Sequence, residues 1–335
     1  MADGLVDLQV NGYGGVDFSN PQLSLGDVFR AAQMLYQRGT AAFLPTVITS
    51  SWTAYQSVLP ILAESVKAKC DGSISQERPS GSNPSANGDL VEENDRVAHP
   101  LGIHLEGPFI SPEDGARGVH PKAHIRLPSI DEFDTLYAMA KGAIRFLTLA
   151  PEQPGALELI GYAASLGVHV SIGHTLANAS QIEAAVEAGA RFSTHLGNGL
   201  PLHIHRHQNP IWPQLANPLL TALIIADGHH LPANLVRVVL AVKGPERVIV
   251  TSDSSPAAGL PPGDYELFGV HSRLDPSGKL WEPATGFLAG SSATLQDCLN
   301  WLERMGIQED ICMQICRENP LTALGAQPLT TRRST

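Results

Sequence analysis

Glu106, His174, His195 and Asp253 are the residues of this 335-residue chain whose types and positions point to chemistry. A catalytic divalent ion needs about three protein ligands, usually imidazole nitrogens with a carboxylate, and an open position for water. Glu106 in LGIHLEG, His174 in VHVSIGH and His195 in RFSTHL each end a separate apolar run, so their sequence distances do not keep them apart in space. Isolated histidines are more often structural, but three correct donors at three run ends are not what scatter produces. An ion held there lowers the pKa of its bound water and polarises a carbonyl oxygen, which leaves a proton to be managed. Asp253, in VTSDSS, is positioned to take that proton and return it to a leaving nitrogen. The competing reading is an Asp that caps a loop or helix.

The elements that must carry these residues are eight short apolar runs: LVDLQV, AAFLPTVI, LGIHLEG, IRFLTLA, VHVSIGH, RFSTHL, TALIIADG and RVIVTSD. Between several of them lie amphipathic, alanine-rich stretches such as LGDVFRAAQMLYQRG and NASQIEAAVEAGA, with Gly39 and Gly189 as helix stops. This βα alternation fits a (β/α)8 TIM-like barrel, with an open doubly wound sheet as runner-up. His104, Glu106, His174, His195, Asp227 and Asp253 all fall at or beyond the C-terminal ends of the runs, which a barrel gathers at one mouth.

Composition narrows the partners. With 22 Lys and Arg against 33 Asp and Glu, the net charge of −11 offers nucleic acid or an anionic membrane no long-range attraction. No segment is apolar for long enough to span a bilayer and no secretory leader opens the chain, so a soluble, cytoplasmic protein is expected. The four cysteines form no CxxC pair and read as reduced packing residues. There is no GxSxG elbow and no P-loop, which disfavours a nucleophilic-serine hydrolase and a nucleotide-phosphate site.

Residues 68–98, rich in Ser, Gly, Pro and Asn, are expected to form a mobile insertion before the third run. The stretch 263–283, centred on Asp275-Pro-Ser-Gly, predicts a β-hairpin that covers the site. The expected organisation is one barrel over residues 1–325 and a tail over 326–335.

The segments DLQVNGYGGVDF, HLEGPFISPEDGARGVHP, LAPE, SIGHT, STHLGNGLP, IADGHH, TSDSSPAAG and LAGSSATL, in this order, resemble N-acetylglucosamine-6-phosphate deacetylases of the amidohydrolase superfamily. The resemblance covers most of the chain. It implies a barrel of the metal-dependent hydrolase type, with Glu106, His174 and His195 as ligands and Asp253 as the acid/base. It also implies that His120, in GVHP, polarises the acetamide carbonyl. Asn198, with Gly199 beside it, and His230 match residues around the sugar phosphate. Arg206 falls where the family has a phosphate-binding arginine, which family dimers contribute, together with the matching histidine, from the neighbouring subunit; a homodimer is therefore expected. A guanidinium suits phosphate on physical grounds too, although HIHRHQNP also reads as a solvated loop.

The chain departs from the superfamily pattern at three places. Gln9 and Asn11 stand where many members have His-x-His, so one metal ion is expected rather than two, with Gln9 near the ion's water. The ligand set suits Zn first, with Fe or Co as alternatives. The small β-sandwich that usually flanks the barrel is expected to be largely absent. The wording around Arg206 also differs, which keeps open an N-acyl amine substrate without phosphate. The expected activity is hydrolysis of N-acetylglucosamine 6-phosphate to the amine and acetate. Its rivals are deacetylation of another N-acetylated sugar phosphate or N-acyl amine, and a non-catalytic sugar-phosphate-binding barrel.

Overall fold

The computed structural model describes residues 4–68 and 96–325. All eight apolar runs are parallel strands: β1 (Leu5–Val10), β2 (Thr40–Ile48), β3 (Ile103–Glu106), β4 (Ile144–Leu149), β5 (His169–Ile172), β6 (Phe192–Ser193), β7 (Thr221–Ile225) and β8 (Val248–Thr251). They pair in sequence order. The runner-up open sheet is excluded by the way the ends meet: Val10 bridges Ser254, and the Asp253 N–H donates to the Gln9 carbonyl at 3.0 Å. Lower on the same seam, the buried Asp7 carboxylate accepts from Thr251 Oγ1 at 2.6 Å and from the Ser252 N–H at 3.1 Å. A side chain closes the barrel where the backbone ladder does not.

Helices α1 (Leu25–Gln37), α2 (Trp52–Ala68), α3 (Ile130–Met139), α4 (Ala156–Ser165), α5 (Ala179–Ala188), α6 (Ile211–Ala216), α7 (Ala233–Lys243) and α8 (Leu295–Arg304) follow the strands. Their starts are written locally. Ser24 with Asp27, Asn178 with Gln181 and Thr294 with Asp297 form capping boxes that satisfy otherwise orphaned N–H groups. Gly189 is the C-cap of α5, and Gly39, at φ 85°, follows the C-cap of α1.

Strand alternation sorts the core. Leu105 and Leu147 face the helix layer with Leu136 and Leu159, while Phe146, Leu44, Leu223 and Ile249 pack together in a second cluster. The period of two that sends Leu105 outward turns His104 and Glu106 to the other face.

After β8 the chain inserts a three-stranded antiparallel sheet: β9 (Gly263–Leu267), β10 (Val270–Leu274) and β11 (Leu280–Trp281). The hairpin turn is at Phe268-Gly269, because Leu267 pairs with Val270. Asp275-Pro-Ser-Gly, expected at the hairpin's centre, instead makes the second turn, into β11, with the Gly278 N–H on the Asp275 carbonyl. Both turns carry glycine, and composition alone does not rank them. Most of the expected insertion at 68–98, and the tail at 326–335, lie outside the described residues.

Candidate active site

Glu106 ends β3, and His174 and His195 follow β5 and β6 by two residues each. One ligand atom from each of the three lies within 4.8 Å of the others, and all three residues are buried. Glu106 Oε1 is 3.3 Å from His174 Nε2 and 3.1 Å from His195 Nε2, and the two imidazole nitrogens are 3.1 Å apart. His174 Nδ1 donates to the Ala116 carbonyl at 2.8 Å, which aims Nε2 at the Glu106 carboxylate. Two imidazole nitrogens and a carboxylate oxygen converging in a buried pocket are the donor set of a divalent ion, which the three residues fit.

The backbone is bent to deliver these groups. His174 at φ 49°, His195 at φ 31° and Asp253 at φ 51° all adopt left-handed conformations, which cost an L-residue roughly 1–2 kcal/mol each. Such strain persists where surrounding structure over-determines it, commonly at functional sites. Gly199, at φ 62°, packs on the ligands: a Cβ there would sit 3.0 Å from His174 Nδ1 and 3.2 Å from His195 Cε1.

Around these three residues several polar groups have orienting partners, while His195 Nδ1, Gln9 Oε1 and Asn11 Oδ1 are buried without one among the described residues. Gln9 donates its amide to Glu106 Oε1 at 2.8 Å; it is fully buried and grips the ligand itself. Asn11 donates to Asp253 Oδ1 at 2.7 Å. His120 Nδ1 accepts from the Thr49 N–H at 3.4 Å and from its hydroxyl at 2.9 Å, which puts the ring proton on Nε2, 3.8 Å from Glu106 Oε2. His230 Nδ1 donates to Asp227 Oδ2 at 2.8 Å, leaving Nε2 for a ligand.

A directed chain of hydrogen bonds runs beneath the site. His104 Nδ1 can only donate to the Leu8 carbonyl (3.0 Å), so its Nε2 accepts from Thr148 Oγ1 (2.8 Å). Thr148 then accepts from Thr194 Oγ1 at 2.7 Å, and Thr194 accepts from Ser171 Oγ at 2.6 Å. One carbonyl fixes the sense of the whole chain, which links β1, β3, β4, β5 and the residue before His195.

Burial sets the protonation tendencies. It raises the Asp253 carboxyl well above the ordinary carboxylate range, and the Glu106 charge adds to this, while the Asn11 bond opposes it. For Glu106 burial also acts upward, but the His174 and His195 imidazoles outweigh it and hold the carboxyl well below its usual value. Burial pushes the His120 imidazole well below its usual value and the His195 imidazole below it, with the Glu106 charge opposing both.

These groups line one cavity of about 400 Å³. Its wall includes Asn11, His120, Asn198, Gly199, His230 and Asp253. Arg206 is absent from the described lining and is exposed, with its carbonyl accepting from Trp212 Nε1. Sequence reading did not find Thr49, the Ala116 carbonyl or Phe268. A strand-end threonine and a loop carbonyl carry no distinguishing signal, whereas Phe before Gly at a hairpin turn does.

No family model matches the chain. Among curated proteins it is 33% identical to a bovine (Bos taurus) N-acetylglucosamine-6-phosphate deacetylase, over 98% of this chain and 75% of the relative. It is 29% identical to an N-acetylgalactosamine-6-phosphate deacetylase of Escherichia coli O157:H7, over 96% of this chain and 77% of that one. Among solved structures it resembles a mutant N-acetyl-D-glucosamine-6-phosphate deacetylase from Mycobacterium smegmatis in complex with N-acetyl-D-glucosamine-6-phosphate. The TM-score is 0.81 at 26% identity, covering 97% of this chain and 77% of that one.

Proposed function

The chain belongs to the N-acetylglucosamine-6-phosphate deacetylase family of the amidohydrolase superfamily, and from that premise we propose how its own residues divide the labour. The reaction is hydrolysis of the acetamide of N-acetylglucosamine 6-phosphate to glucosamine 6-phosphate and acetate. The observation that carries the assignment of roles is the convergence of Glu106, His174 and His195 on one point, with Asp253 on the wall of the same cavity.

A divalent ion bound by Glu106, His174 and His195 supplies Lewis acidity toward the acetamide oxygen and acidifies the attacking water. Asp253 takes a proton from that water on a carboxylate oxygen and delivers it to the departing nitrogen. A carboxyl raised by burial suits both halves of this task, since it accepts readily and gives up the proton to an amine. His120 donates its Nε2 proton to the acetamide oxygen as charge develops there, its tautomer set by Thr49. Gln9 fixes the rotamer of Glu106, and Asn11 that of Asp253.

Asn198, Gly199 and His230 are proposed to contact the sugar. Arg206 can serve the phosphate only through a loop movement or from a second subunit. Zn is the proposed ion, because two imidazoles and one carboxylate with an open position is a common zinc hydrolase set. Fe and Co remain alternatives. We also propose a homodimer: Trp212 on α6, Leu219 just after it, and Val238 and Val242 on α7 are all exposed apolar groups on neighbouring elements. No helix among the described residues is long and apolar enough to cross a membrane. A cytoplasmic setting is proposed from the free, buried Cys298, Cys312 and Cys316.

The test is metal analysis of the freshly purified protein together with release of free amine from N-acetylglucosamine 6-phosphate. About one ion per chain and turnover abolished by chelation are expected. Two ions per chain would overturn the role given to Gln9 and Asn11, and turnover that survives full chelation would overturn the metal reading.

A further inference from the structure

Glu152 is the ionisable residue of the LAPE segment, and the division of labour above leaves it unused. It follows β4 by three residues and is absent from the cavity lining, so it does not meet a substrate there. Its carboxylate reaches instead to the chain that follows β5. Thr175 Oγ1 donates to Glu152 Oε2, and the Leu176 N–H donates to Glu152 Oε1 at 2.7 Å. Thr175 and Leu176 are the two residues directly after His174.

His174 stands at φ 49°, in the left-handed region, where an L-residue stays only if its surroundings hold it. On its N-terminal side the Gly173 N–H donates to the Leu149 carbonyl at 3.1 Å, and the Ser111 N–H donates to the His174 carbonyl at 3.0 Å. On its C-terminal side the tie is Glu152. The end of β4 therefore brackets His174, with a main-chain carbonyl before it and a carboxylate after it. At His195 the matching place is taken by a main-chain bond, from the Leu196 N–H to the Leu223 carbonyl at 2.8 Å.

The carboxylate is itself well held. The Gln153 N–H donates to the Ala150 carbonyl at 3.2 Å, which makes residues 150–153 a tight turn with Pro151 in second place, where its fixed φ suits the turn. Glu152 is thus presented by a stiff segment. Thr175 is buried, and its hydroxyl, having given its proton to Glu152, accepts from the Ala177 N–H at 2.9 Å just ahead of the Asn178 cap of α5. A carboxylate accepts on both oxygens, so it can meet a hydroxyl and an N–H at once; an amide of the same shape offers one such oxygen.

We propose that Glu152 is a positioning residue for His174: clamped on Thr175 and Leu176, it holds the left-handed backbone there and keeps the imidazole Nε2 on the point shared with Glu106 and His195. The inference rests on the metal reading given above and adds to it a residue that touches neither ion nor substrate.

The test measures zinc affinity by chelator competition, and the visible spectrum of the cobalt-loaded protein, in the unaltered chain and in variants. Glu152→Ala and Thr175→Val should each weaken zinc binding by about tenfold, the scale of a group that orients a ligand. The double variant should bind no worse than the weaker single one, because both substitutions cut the same link. Thr175→Ser keeps the hydroxyl and should stay close to the unaltered protein. Glu152→Gln, with one acceptor oxygen left, should fall between, and it carries the test should Glu152→Ala fail to fold. The cobalt bands of Glu152→Ala should differ from those of the unaltered protein, since they report the geometry of the ligands; a loss of stability alone leaves the spectrum of the bound ion as it was. Unchanged cobalt bands, or losses in Glu152→Ala and Thr175→Val that simply add, would overturn the proposal even where zinc binds more weakly. An unaltered protein that binds neither ion would overturn the metal reading, and this proposal with it.

Discussion

Asn11 and Asp253 stand 242 positions apart in sequence, yet Asn11 Nδ2 donates to Asp253 Oδ1 at 2.7 Å. The bond favours the ionised carboxyl against burial and against the Glu106 charge, which both push it the other way. Asn11→Leu removes it. The Asp253 pKa should then rise further, and since water deprotonation needs the ionised form, the acid limb of kcat/KM should move to higher pH. Activity near neutrality should fall by about tenfold or more. A pH–rate profile measures this, and an unmoved acid limb would show that Asn11 does not tune the carboxyl.

Asp253→Asn tests the proton task itself. The amide keeps the size and can still meet Asn11, so metal content and ligand affinity should be retained. The rate constant kcat should drop about 10²- to 10⁴-fold, the usual worth of a positioned acid/base. Calorimetry with the substrate and amine release read the two quantities separately; near-normal turnover would refute the assignment.

The hydrogen-bond chain through His104 predicts an effect on metal affinity without any change of ligand. Thr148→Val cuts the chain between His104 and Thr194 at nearly constant volume. Groups bonded directly to metal ligands are typically worth about 10- to 100-fold in affinity; Thr148 acts one step further off, through Thr194 beside His195, so a loss near the lower end, about tenfold, is expected, with Thr148→Ser recovering most of it. Competition with a chromogenic chelator provides the readout. Equal affinities in all three proteins would mean that the chain only fills space.

Asp227 predicts how stability responds to acid. Burial would raise its pKa, but His230 and the backbone N–H groups of His229 and His230 dominate and hold it well below the ordinary value. A group depressed in the folded state binds fewer protons there than in the unfolded chain, so its contribution is complete above about pH 4 and is lost as the pH falls further. Asp227→Asn should therefore lower stability at neutral pH and flatten its decline in acid. Urea midpoints at pH 7 and pH 3 check this: the gap between variant and parent should narrow at the lower pH.

The barrel was legible because eight short, mostly apolar runs recur, several of them with a chemically distinctive residue at or just beyond the C-terminal end. Glu106, His174 and His195 stand out by type at those ends, and a closed barrel gathers all such ends at one mouth. Thr49 was not legible, because its value lies in the His120 tautomer, which depends on a neighbour 71 positions away. Arg206 illustrates the opposite failure. Its residue type suits phosphate, but type says nothing of direction, and the loop leaves it exposed. Phe268 had a readable signal, an aromatic where a turn calls for glycine or asparagine, hidden by a better-looking turn at Asp275-Pro-Ser-Gly.

The seam between β1 and β8 also bears on how the protein is made. Asp7 and Asn11 leave the ribosome early, whereas Thr251 and Asp253 follow about 240 positions later, and the bonds that join them form only once both are available. Contacts of such long sequence range are the slowest to be established. A growing chain can therefore shape most of its strands before Asp253, the proposed proton carrier, is joined to Asn11, and on that proposal a product that stops short of β8 would be inert rather than partly active. Closure of the barrel and the onset of turnover become a single event in the life of each molecule.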